Sequence, residues 1–129
     1  VPEAENLTST TKMRVHFAGF AQPSDLGAIY AGAQVLCYPS LMEGFGLPIL
    51  EAMSYGTPVV TSKGSSTQEV SGNAAVLVDP LNIESIAAGI TQAISHKAEL
   101  SQLGRKRASE MTWQATAQKT VEVYERVVQ

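Results

Sequence analysis

The sequence predicts an α/β domain with a parallel sheet and flanking helices, and three observations predict it. Short apolar runs alternate with longer stretches of helical periodicity, the pattern of strand–helix–strand units. The runs are nearly continuous in apolar character rather than alternating, as strands covered on both faces are. The length, 129 residues with a hydrophobic fraction of 44%, suits a single domain with a real core, here residues 1–129 taken together.

Four runs read as strands: Val15 to Ala18, Val35 to Tyr38, Val59 to Thr61 and Ala75 to Val78. Helices fall between and after them. One is expected from Ser24 to Ala31, with Ser24 and Asp25 as caps behind Pro23. A second is expected from Pro48 to Tyr55, closed by a left-handed Gly56 and by Pro58. A third runs from Asn82 to Ser95, with Ile83, Ile86, Ala87, Ile90 and Ile94 as one apolar stripe. The tail reads as two more, from Lys97 to Glu110 and from Thr112 onward, the last with Trp113, Ala117, Val121, Tyr124 and Val128 at helical spacing. There is no internal repeat, low-complexity stretch or linker.

Composition excludes several classes of function. A net charge of −3 argues against nucleic acid as a partner, because phosphate backbones need clustered cations. The basic run Arg105-Lys106-Arg107 reads as a solvated helix face. No apolar run reaches the ~18 residues of a membrane span, and no leader is visible at Val1-Pro2-Glu3. Cys37 stands alone inside an apolar run and reads as a small core residue, which points to a cytoplasmic setting. His16 reads as a core or edge residue, His96 as a helix-end residue, and Tyr30, Tyr38 and Tyr55 as packing residues.

The informative segment is Tyr38 to Met53, which leaves the carboxyl end of a buried strand and ends inside a helix. Ligands in open α/β sheets bind at that edge. Gly44 and Gly46 allow a close approach to the main chain. With Pro48 at the first helical position, Leu47 becomes the N-cap, and leucine has no oxygen to accept the free N–H groups of the first turn. Those donors and the positive end of the helix dipole are then open to an anion such as a diphosphate. Glu43 reaches the mouth of this site. Glu51, about a turn into the helix, is placed to accept from a vicinal diol such as a ribose. The alternative is an ordinary Gly-x-Gly turn followed by a glutamate that complements the dipole, and spacing alone does not name a sugar nucleotide.

The stretch Glu43-Gly44-Phe45-Gly46-Leu47-Pro48-Ile49-Leu50-Glu51-Ala52-Met53, followed by Gly56-Thr57-Pro58-Val59-Val60, resembles the core motif of the retaining glycosyltransferases called group 1 or family 4. Their hallmark is a pair of glutamates with seven residues between them, as Glu43 and Glu51 have. Val15-His16-Phe17-Ala18-Gly19-Phe20 is similar to the segment before the motif. Glu69-Val70, Ala74-Ala75, Val78-Asp79-Pro80, Trp113 and Tyr124 are similar to the segments after it.

The resemblance implies the GT-B fold, two Rossmann-like domains facing across a cleft, with this chain a partial C-terminal, donor-binding domain. It implies transfer of a hexosyl group from a nucleotide sugar, GDP- or UDP-linked, to an acceptor hydroxyl with retention, without a metal or other cofactor. Glu43 would sit beside the donor sugar as the catalytic carboxylate. The amides of Gly44, Phe45, Gly46 and Leu47 would hold sugar hydroxyls and diphosphate, and Glu51 the ribose. Ser65-Ser66-Thr67 with Glu69-Val70 and Ala74-Ala75 resembles mannosyltransferase relatives, which would suggest GDP-mannose. The family's basic phosphate ligands find no counterpart, since Lys12 and Arg14 are out of context. Gln68-Glu69-Val70 and Gly72-Asn73 also depart from the usual pattern, which leaves Glu69 with a capping or packing role.

The resemblance also implies an acceptor domain preceding this chain, and about six strands in the full sheet, so a lone chain is expected to be inactive and to pair or oligomerise through exposed strand edges. The last helix is expected either to cross to that missing domain or to pack on its own sheet. The full-length enzyme is expected in the cytoplasm, peripheral at the inner membrane face. The alternatives are a non-catalytic nucleotide-sugar-binding module that needs a separate N-terminal half and, on the same fold, a sugar-nucleotide epimerase.

Overall fold

A computed structural model describes residues 15–128. Three parallel strands form the sheet in the order β1 (Leu36–Tyr38), β2 (Val59–Ser62), β3 (Ala75–Val78). The helices are α1 (Pro23–Gly32), α2 (Leu47–Ser54), α3 (Ser66–Ser71), α4 (Ile83–Ser95), α5 (Lys97–Glu110) and α6 (Trp113–Val127). Consecutive strands are joined through α2 and α3, the crossover that parallel pairing requires.

The register splits the core in two. Leu36, Val59 and Ala75 lie abreast and face α2 and α3, where Ile49, Ala52, Met53, Val70 and Ala74 close one cluster. Cys37, Val60 and Val76 lie abreast on the other face, where Val60, Val76 and Val78 meet Ala93, Ile86 and Ile90 of α4. Only β2 is buried at every position. Side chains the size of Ile49 and Met53, both fully buried, each contribute about 1.5–3 kcal/mol.

Several expectations change here. Residues 15–18 are not a strand: they run irregular and exposed, with no partner among the described residues, and a lone extended segment has nothing to bond to. Cys37 is exposed rather than in the core, because α4 packs over β2 and β3 and leaves that face of β1 uncovered. His16 is exposed outside the sheet. Helix α1 starts at Pro23 with Gln22 as its cap, since proline suits the first helical position, and Ser24 and Asp25 lie inside the first turn. The stripe of α4 is rotated. Ile83 is 79% exposed, and the buried residues are Gly89 and Ala93. At Gly89 a Cβ would collide with Val78, so the helix meets the sheet through its small residues. Helix α3 has no counterpart in the expected elements; six residues are too few for a periodic signal. Lys12 and Arg14 lie outside the described residues.

The helix ends are fixed by identifiable groups. Asn82 caps α4 by accepting from the Ser85 N–H, and Thr112 caps α6 by accepting from the Ala115 N–H. Gly56 follows α2 with φ of 78°, the left-handed conformation expected of it. His96 closes α4, its Nδ1 3.0 Å from the Gln92 carbonyl oxygen. The basic run on α5 is not merely solvated. Arg105 donates to the carbonyls of Ser54 and Tyr55 at the end of α2, and Arg107 to those of Glu69 and Val70 at the end of α3. Each guanidinium meets carbonyls that the helix leaves unpaired, at the negative pole of its dipole.

Candidate functional site

The loop from Pro39 to Gly46 is held by polar residues of the neighbouring strand. Thr61 and Ser62 end β2 almost fully buried, and a buried hydroxyl needs a partner. Thr61 Oγ1 donates to the Tyr38 carbonyl at 2.9 Å, and Ser62 Oγ to the Ser40 carbonyl at 2.6 Å. From α3, Ser66 Oγ donates to the Glu43 carbonyl at 2.7 Å. The loop is thus fixed at its exit from β1 and again at Glu43.

The Glu43 carboxylate is held as well. Tyr38 Oη and Ser40 Oγ both donate to Oε1 at 2.8 Å. These bonds favour the charged form, Tyr38 first and Ser40 second, and hold the carboxyl below its usual range against a smaller opposing effect of burial. The Tyr38 phenol is raised in return, chiefly by its bond to Glu43.

Helix α2 begins one residue earlier than expected. Its N-cap is Gly46, not Leu47, because the turn needs φ of 102° and only glycine takes that conformation freely. A Cβ at Gly46 would also press on Ile49 Cδ1 at 3.2 Å and Thr67 Cγ2 at 3.3 Å. Gly44 differs: its φ is not positive and a Cβ there would meet nothing. Glycine has no side-chain acceptor either, so the helix start stays uncapped. Among the described residues, the backbone N–H groups of Gly44, Phe45, Gly46 and Leu47 have no protein acceptor.

Glu51 lies on the exposed side of α2. Its Oε2 accepts from Tyr30 Oη at 2.9 Å, so one oxygen is engaged before any diol arrives. The Tyr30 ring stacks on Tyr55, with centroids 6.2 Å apart and planes 16° from parallel. Burial first, and then the bond to Glu51, push the Tyr30 phenol up to about 12.

A cleft of about 440 Å³ opens between the start of α2 and the α5–α6 junction, lined in part by Phe45, Leu47, Glu51, Met111 and Trp113. It gathers three of the expected site residues. Glu43 is not among its lining, and its carboxylate is bonded instead to Tyr38 and Ser40. The tyrosines are what the sequence reading missed as site residues. Tyr38, five residues before Glu43 at the end of a strand, offered a signal, whereas Tyr30 meets Glu51 only through the tertiary packing of α1 on α2.

Residues 3–111 match the family described as glycosyl transferases group 1. The chain belongs to this family. Among curated proteins it is 38% identical to O-antigen chain mannosyltransferase B of Escherichia coli, over 85% of this chain and 30% of that protein. It is 40% identical to MMP alpha-(1->4)-mannosyltransferase of Mycolicibacterium hassiacum, over 88% of this chain and 29% of that protein. In structure it is similar to sucrose-phosphate synthase from Thermosynechococcus elongatus, with a TM-score of 0.83 and 29% identity over 98% of this chain and 34% of that one. The chain therefore spans about three tenths of the length of these two curated relatives. Its architecture is that of part of the C-terminal domain of the GT-B fold. No described helix is long and apolar enough to cross a membrane.

Proposed function

We propose that this group 1 chain supplies the donor-binding part of a glycosyltransferase that moves a sugar from a nucleotide sugar to an acceptor hydroxyl with retention. The observation that carries the reading is the uncapped start of α2, four neighbouring amides without a protein acceptor among the described residues, flanked by Glu43 and Glu51. Amides at a helix N-terminus favour an anion. In this reading the amides of Gly44, Phe45, Gly46 and Leu47 hold the diphosphate and sugar hydroxyls. Glu51 holds the ribose through the oxygen that Tyr30 leaves free, and Glu43 stands beside the sugar ring.

The proposed chemistry is a front-face displacement. The acceptor oxygen bonds to the anomeric carbon as the carbon–phosphate-oxygen bond breaks, and the acceptor proton passes to the departing diphosphate. Negative charge grows on that diphosphate, where fixed amides stabilise it, and no metal is assigned to the step. Glu43 acts electrostatically and by position. Both curated relatives named above are mannosyltransferases, which supports a mannosyl donor. Transfer itself is assigned to the whole protein, with an acceptor domain completing the cleft and the enzyme working in the cytoplasm.

Calorimetric titration with GDP, UDP, GDP-mannose and UDP-glucose tests this. Binding of one nucleotide series, weakened by Glu51→Ala about tenfold as expected for a lost charge-assisted bond, supports the site and names the nucleotide. An absence of binding at millimolar ligand overturns the assignment of donor binding to this chain.

A further inference from the structure

Both glutamates of the motif share an arrangement that their spacing does not announce. Each has one oxygen already taken by a tyrosine hydroxyl from an earlier element. Tyr38, at the end of β1, donates to Glu43 Oε1; Tyr30, near the end of α1, donates to Glu51 Oε2. Among the described residues, the other oxygen of each carboxylate has no protein donor.

The tyrosines are themselves fixed. Both rings pack against the buried cluster of Ile49, Ala52, Met53 and Val59. Tyr30 is held further by its stack on Tyr55, and its carbonyl accepts from Thr57 Oγ1. Tyr38 is paired within the sheet, and Thr61 holds its carbonyl. A free glutamate side chain on a surface samples several rotamers, and ordering it on ligand binding costs side-chain entropy. A hydroxyl on a ring packed against the core, bonded to one oxygen, reduces that freedom in advance.

We propose that Tyr30 and Tyr38 are positioning residues, each orienting one glutamate so that a single uncommitted oxygen, Glu51 Oε1 or Glu43 Oε2, faces the nucleotide sugar. This deepens the donor-site reading and rests on it. Glu51 then takes the ribose through its one unshared oxygen, and Glu43 presents a single acceptor to the sugar.

The two tyrosines act on different parts of the donor, and the test uses that difference. Tyr30→Phe and Tyr38→Phe keep the rings and remove only the hydroxyls. In calorimetry with GDP, GDP-mannose, UDP and UDP-glucose, Tyr30→Phe is expected to weaken the nucleotide and its sugar conjugate alike, about fivefold. Tyr38→Phe is expected to weaken only the conjugate. Equal effects of both variants on nucleotide and conjugate, or no effect, overturn the proposal. A second readout needs no ligand: the carbon-13 titration of the Glu43 carboxyl, assigned with Glu43→Gln. Its midpoint is expected to rise in Tyr38→Phe and to stay in Tyr30→Phe. If the unaltered chain binds no ligand, the donor-site reading fails, and an unmoved Glu43 midpoint in Tyr38→Phe separately overturns the role of Tyr38.

Discussion

A tyrosine bonded to a carboxylate changes both partners, and Tyr30 shows the larger change. Its phenol, pushed up to about 12 by burial and then by Glu51, holds its proton more firmly in the folded chain than in the unfolded one, where the value is near 10. The stabilisation is therefore complete below pH 10 and is lost as the pH rises through the folded value. The ultraviolet tyrosinate titration should show a step near 12 that Tyr30→Phe removes. Glu51→Gln should lower its midpoint only in part, because burial, the larger cause, remains. Glu43 runs the other way. Its depressed value gives stability that is present above the unfolded carboxyl range and lost as the pH falls through the folded value.

Among the elements, α5 joins the two helices that flank the site loop. It lies along α2, and its Arg105 and Arg107 bond the last carbonyls of α2 and α3. Arg107→Ala should cost about 1–2 kcal/mol in urea unfolding, as for loss of charge-assisted bonds to partly buried carbonyls. Arg105→Ala should cost less, because Arg105 is exposed and solvent replaces what it loses. Equal losses would argue against this difference. The sequence pattern carried β2, β3, the bounds of α4 to α6 and the Gly56 terminator, because burial and capping are written in local residue types. It could not carry the strand role of residues 15–18, which depends on a neighbour to pair with. Nor could it carry the partners of Arg105 and Arg107, which lie 37 to 51 positions away in sequence. The glutamates entered as candidates through the motif that carries the resemblance, and Tyr30 could not, since its contact spans 21 positions.

The molecule as a whole leaves apolar surface uncovered. Helix α6 has no buried residue, Trp113 is 77% exposed, and among the described residues β1 and β3 each have one neighbour in the sheet. Apolar side chains and open strand edges favour association. The isolated chain should thus grow in mean mass with concentration in light scattering, and Trp113→Ser with Tyr124→Ser should reduce that growth. A constant monomer mass across the micromolar to millimolar range would count against it.

The anchoring of the loop has one more consequence, for how the chain comes apart. Thr61 and Ser62 grip the carbonyls of Tyr38 and Ser40 from inside the sheet, so the loop has no private melting transition. It opens when the end of β2 opens, as part of one cooperative unit. A substitution deep in β2 will then be felt first as a blunted site, well before the fold itself gives way.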